Sequence, residues 1–131
     1  MDLKARLQSW LPPFPRYLGI TFTQATQDRI VAELPVREEL CIEIGTVHGG
    51  VLMAFADTLG AAGANSNLPE GKFTTTLESK TNFISPAPLG TTLIGESTPL
   101  HRGRRTQIWE TRIATQAGKL VAKVTQTQMV L

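Results

Sequence analysis

Between Gly45 and Leu68 only one side chain is formally charged, Asp57, and His48 is the only other titratable group there. The stretch from Val47 to about Ala64 is otherwise mostly Val, Leu, Met, Ala, Phe and Gly, which predicts a buried helix, apolar on most sides. A lone carboxylate on such a helix is costly to bury. Backbone N–H groups or a partner side chain could hold it as a structural group. Alternatively it is kept desolvated so that it acts as a base or nucleophile. It follows His48 by nine residues, two and a half turns, on a face expected to carry Met53, Gly60 and Ala61.

Gly49 and Gly50 stand at the presumed start of this helix. The first N–H groups of a helix are unpaired, and the helix dipole favours negative charge there. Residues without side chains let a ligand oxygen come close, so the pair forms a candidate oxyanion site. The same glycines also suit a tight turn, and His48 suits a structural hydrogen bonder. A second cluster is His101-Arg102-Gly103-Arg104-Arg105-Thr106. Guanidinium forks pair bidentately with phosphate and Thr106 adds a hydroxyl, although a solvated turn has the same composition. Tight aromatic interleaving is absent, which argues against a nucleic-acid surface.

Cys41 is the only cysteine, so no intrachain disulfide is expected; its type reads as a small buried hydrophobe. One Cys with His48 and His101 falls short of a closed zinc set, and neither metal nor cofactor is expected. The G-x-S-x-G, G-x-x-x-x-G-K-[ST] and G-x-G-x-x-G motifs are missing, excluding serine-hydrolase, P-loop and Rossmann readings. A net charge of +2 is too small to announce a nucleic-acid binder. No uncharged apolar run reaches the length of a membrane span, and Asp2, Lys4 and Arg6 interrupt what would be a signal peptide. No membrane partner and a cytoplasmic location are the expectation.

These groups must be positioned by one domain, residues 1–131. Residues 1–15 read as a short helix capped by Asp2 and then a Pro-rich loop at Pro12, Pro13 and Pro15. Gly19–Ala25 and Arg29–Pro35 read as strands about a turn at Thr26–Asp28, and Arg37–Gly45 as a loop. After turn residues at Asn65–Gly71, the period falls to two over Phe73–Ile84, which Pro86 ends. Thr91–His101, Arg105–Gln116 and Lys119–Leu131 complete an expected meander of four antiparallel strands. In the last one Leu120, Ala122 and Val124 are followed in phase by Gln126 and Gln128. That predicts a bulge near Thr125, or a strand end leaving one core for a partner. The sum is an α+β fold with the helix on one face of the sheet. The sheet's other face and its edges need cover, which argues for an oligomer.

Ile44-Gly-Thr-Val-His-Gly-Gly-Val-Leu-Met-Ala-Phe-Ala-Asp57 resembles the signature of hotdog-fold acyl-CoA thioesterases, in the PaaI-like and 4-hydroxybenzoyl-CoA (aryl-CoA) thioesterase subgroup. There, His-Gly-Gly is followed by a catalytic acid seven residues after the second Gly, where Asp57 stands. The likeness continues through Thr75-Thr76-Leu77, Phe83–Ala87, Gly103–Thr106 and Gly118–Ala122. It implies a long helix wrapped by a curved antiparallel sheet, a homodimer or homotetramer, and sites at the dimer interface. It further implies Asp57 as nucleophile or general base, the Gly49 N–H on the thioester carbonyl, and His48 near that carbonyl. Thr76 would hold the attacking water, and Arg104, Arg105 and Thr106 the CoA moiety. One position departs: where the family usually carries Asn or Gln, six residues before the His, this chain has Ile42. The expected function is hydrolysis of an acyl-CoA to acid and CoA. The rivals are a hotdog protein that binds acyl-CoA without turnover, which Ile42 allows, and a hydroxyacyl-thioester dehydratase.

Overall fold

The Asp2 carboxylate accepts the Ala5 N–H at 2.8 Å and so starts α1 (Leu3–Trp10). The computed structural model describes residues 1–131. The prolines that follow do not make the irregular loop expected up to residue 15. They open a second helix, α2 (Pro13–Leu18), with Pro13 at its first position. There a missing N–H removes no bond and the fixed φ is already helical. Gly19, at φ 91°, ends it.

Next come β1 (Thr21–Ala25), β2 (Ile30–Pro35), a 3-10 turn at Glu38–Leu40, and α3 (Gly49–Asn65). The chain closes with β3 (Thr74–Phe83), β4 (Thr92–Arg102), β5 (Thr106–Thr115) and β6 (Leu120–Val130). The architecture is α+β: α3 lies against one antiparallel sheet of order β1-β2-β4-β5-β6-β3. The four-strand meander is therefore corrected to three strands, because β3 pairs with β6 and not with β4. Getting from β3 to β4 crosses three inter-strand gaps, roughly 14 Å in all. Pro86 and Pro88 lack the N–H that strand pairing needs. Their segment instead runs past the start of α3, where Val47 N–H bonds Ala87 O and Leu89 N–H bonds Gly45 O, both at 2.9 Å.

Two irregularities decide which side chains face the helix. Leu77 is an extra residue in β3, between the pairs Thr76–Gln128 and Glu78–Thr127. Its bulge switches parity, so Thr74 and Thr76 share the partly buried face with Ser79 and Thr81. β6, by contrast, keeps its register past Thr125, where the sequence suggested a bulge. Val124, Gln126 and Gln128 are all buried on one face, and the irregularity in β6 lies at Val121.

α3 is rich in Ala and Gly because the large side chains of this interface belong to the sheet or sit elsewhere on the helix. Trp109 of β5 is fully buried and packs on Gly63; its Nε1–H donates to Gln107 Oε1 at 2.8 Å. A methyl at Gly63 would stand 2.5 Å from Trp109 Cζ3. Overpacking costs about 1–3 kcal/mol, against a helix-propensity gain for Ala of about 1 kcal/mol. Gly63→Ala should therefore lower the midpoint of urea unfolding. A midpoint at or above the parent's would show that Trp109 can move aside.

Candidate active site

α3 starts as its sequence dictates. His48 is the N-cap, and its Nδ1 accepts the Gly50 N–H at 2.8 Å. In neutral imidazole that bond puts the proton on Nε2. The Gly49 N–H has no acceptor in the chain, as expected for the first residue of a helix. A Cβ on Gly49 would lie 3.1 Å from the Phe83 ring, so glycine is what allows that ring to close over the backbone. Beside Gly49 opens a cavity of about 370 Å³ walled by Val47, Leu52, Phe83, Ile84 and Pro86.

Asp57 lies on the half-open side of α3 with Met53 and Ala61; Gly60, expected on the same face, turns inward and is buried. Gly60 lies only about 20° of helical rotation from Met53; it is buried because it has no side chain and the Gln126 amide of β6 closes over it. Two side chains from the sheet reach the carboxylate, and a third supports one of them. Thr76 Oγ1 donates to Asp57 Oδ1 at 2.6 Å, and Gln126 Nε2 donates to the same oxygen at 3.2 Å. Gln128 Nε2 donates to Thr76 Oγ1 at 2.7 Å. Sequence reasoning missed both glutamines. Their signal was present as amides in the buried phase of a strand, which also reads as a bulge near Thr125 or as a strand end leaving the core. An amide thus does touch Asp57, but it comes from β6. Ile42 lies in the loop before α3, beside Cys41, Glu43 and Leu89. Cys41 is only half-buried, contrary to the buried hydrophobe expected, because it lines that surface cleft.

The Arg hairpin divides. Arg102 is taken: it donates to Asp28 Oδ1 (2.8 Å), Gln27 O (3.0 Å) and Asn67 Oδ1 (3.2 Å), clamping the β1–β2 turn to the end of α3. Arg104 and Arg105 are exposed and form no ion pair. They face a cavity of about 470 Å³ that also takes in Lys72, a cation the sequence reading did not include. Thr106 is half-buried at the first position of β5 and does not line this cavity. Register ties the two clusters together, since Gln107, in the cavity wall, pairs with Gln128, which pairs with Thr76. No three His, Cys, Asp or Glu side chains come together as a metal-ligand set.

Residues 44–122 match the family described as the thioesterase superfamily. The proofreading thioesterase EntH of Klebsiella pneumoniae is 32% identical over 103 residues, covering 79% of this chain and 74% of that protein. The crystal structure of thioesterase HI1161 from Haemophilus influenzae aligns with TM-score 0.92 and 30% identity, over 100% of this chain and 91% of that one. A hypothetical thioesterase from Streptococcus pneumoniae, in a structure with coenzyme A, aligns with TM-score 0.80 and 25% identity, over 86% of each chain. The chain belongs to the thioesterase superfamily, has its hotdog fold and is a thioester hydrolase.

The Thr76 hydroxyl is the only link between Gln128 and Asp57. Thr76→Val removes it and strands the buried Gln128 amide, a loss of about 1–3 kcal/mol. Thr76→Val with Gln128→Leu removes the stranded amide and should recover that part of the melting temperature, leaving the part that comes from the lost donor to Asp57. If the double variant melts as far below the parent as the sum of the singles, the two residues are not coupled.

Proposed function

We propose that the protein hydrolyses an acyl-CoA thioester to the free acid and CoA. The observation that carries this reading is Asp57: the sole charged side chain on α3, half-buried, held through Oδ1 with Oδ2 free of protein partners. As a base, Oδ2 takes a proton from water while the water oxygen bonds to the thioester carbon. As a nucleophile, Oδ2 forms that bond itself and water then hydrolyses the resulting anhydride. In either route the C–S bond breaks and the CoA thiolate leaves, taking up the proton released from water. The Gly49 N–H receives the oxyanion and the His48 Nε2–H lies at the same helix end. Thr76, whose single proton goes to Asp57, contacts the attacking water only as an acceptor.

Gly49 and Asp57 are eight residues apart on one helix, roughly 12 Å along its axis. The oxyanion donor and the attacking group must each come within about 3 Å of one carbonyl. Two groups of the same copy cannot do so. A second copy can supply the Gly49 N–H to this copy's Asp57. The free outer edge of β3, with Leu77 exposed on it, Phe73 exposed just before it and Met53 on the adjoining helix face, is the surface for that copy. A homodimer is then the minimal active unit, and a tetramer would be built from it. The apolar cavity beside Gly49 suits an apolar acyl group. Arg104 and Arg105, with Lys72 beside them, suit the CoA phosphates.

Steady-state release of free thiol from an acyl-CoA panel separates hydrolysis from mere binding. On the best substrate, Asp57→Asn should lower kcat by roughly 10²–10⁴-fold with the fold and oligomer intact. Near-parental kcat would remove this mechanism.

Arg104→Ala and Arg105→Ala should each raise KM for the CoA ester roughly tenfold to a hundredfold with little change in kcat. A truncated thioester without the nucleotide is the control. Equal losses on both substrates would show that the hairpin does not read phosphate.

A further inference from the structure

Gln126 is 1% exposed and its Oε1 has no donor, yet its Nε2 reaches both Oδ1 and the main-chain O of Asp57, the latter at 3.4 Å. A strand side chain comes this close to the helix backbone only because position 60 is glycine. A Cβ there would fall within the Gln126 amide, 2.7 Å from Nε2. An apolar side chain of equal size would fill the space without burying an unpaired carbonyl. What the amide adds is a donor aimed at the one charged group on the helix.

The proton directions follow from the chemistry of the donors. An amide nitrogen only donates, so Thr76 Oγ1 accepts from Gln128 and its single proton goes to Asp57 Oδ1. Gln126 places a second donor on that same oxygen. We propose that Gln126, seated in the notch left by Gly60, is a positioning residue for the hydrolysis: it locks Asp57 through Oδ1 so that Oδ2 is the oxygen that reacts. This rests on Asp57 being the reacting carboxylate.

A donor on a carboxylate favours its charged form, so removing it moves protonation to higher pH. No other ionisable group confuses that readout from the sheet, whose buried and half-buried helix-side positions are apolar, hydroxyl or amide residues in every strand. Within one copy the remaining groups lie elsewhere: His48 caps the far end of α3, Arg16 of α2 is tied to Leu11 O, Arg102 of β4 is held at the β1–β2 turn, Tyr17 is exposed, and Glu78 and Lys80 of β3 are exposed. The second copy that brings its Gly49 to the site brings its His48 with it, and that group is the same in the parent and in every variant compared.

The test uses the full chain with kcat, KM and the pH dependence of kcat/KM on an acyl-CoA. Gln126→Met keeps the volume and removes the donor. The loss of one charge-assisted hydrogen bond should lower kcat roughly tenfold to a hundredfold, with KM within about twofold. The acid limb should move to higher pH, and further still in Gln126→Glu, which sets a carboxyl group beside Asp57. Gly60→Ala, which displaces the amide while keeping every polar group, should reproduce the pattern. Combined with Gln126→Met it should add little further loss. Asp57→Asn is assayed alongside. If that variant is inactive while Gln126→Met keeps the parental kcat and acid limb, the positioning role is overturned and the role of Asp57 stands. A lower melting temperature with an unmoved limb also overturns it, leaving only a structural tie. Parental turnover in Asp57→Asn would instead overturn the reading of Asp57 and this proposal with it. Should Gln126→Met not fold, Gly60→Ala and Gln126→Glu carry the same comparison.

Discussion

The close approach of α3 to its sheet is the constraint on which the rest depends. It is possible because the helix presents glycine where the sheet presents its bulkiest groups: Gly63 to Trp109 and Gly60 to Gln126. At a third contact the roles reverse, with Gly95 of β4 taking the Phe55 ring and the Leu59 side chain. Interiors pack near crystal density, so a methyl at any of these points displaces a whole side chain. The low polarity of the helix and its abundance of small residues are two sides of one requirement.

That approach also explains how a carboxylate is tolerated there. Asp57 is neither left bare nor neutralised by a cation; no Lys or Arg pairs with it. It is solvated by a hydroxyl and an amide fixed on two neighbouring strands, which keep their hydrogen bonds without cancelling its charge. The arrangement has a cost, since Gln126 Oε1, Gln128 Oε1 and the hydroxyls of Ser79 and Thr81 are buried without partners. Buried polar groups of this kind are rare in native proteins, and here they gather on the two strands, β3 and β6, that support the carboxylate.

The crossover from β3 to β4 shapes the surface. By carrying β3 to the far side of β6 it leaves that strand's outer edge free, next to the half-open face of α3 that holds Asp57. It also lays Phe83, Ile84 and Pro86 beside the unpaired Gly49 N–H. One chain connection thus sets the free edge, the apolar cavity and the helix N-terminus into a single region. The basic hairpin lies at the other end of α3, near its last turn, where Arg102 joins it to Asn67.

Much of this was legible in the sequence. His48, Gly49, Gly50 and Asp57 lie within a few turns of one helix, and helical periodicity and capping are local properties that residue types express directly. The helix and the strands were readable for the same reason, whereas which of the three hairpin arginines is tied rests on contacts of Arg102 with residues 35 to 75 positions away. What tertiary structure alone decided is pairing. Whether β3 lies beside β4 or β6 depends on a loop path that no local pattern encodes, and the bulge at Leu77 that turns Thr76 toward Asp57 depends on the partner strand. Gln126 and Gln128 looked like a break in a strand's alternation, because sequence assigns amides to solvent. They are inside because Asp57 and Thr76, some fifty to seventy residues away in the chain, need donors at that depth.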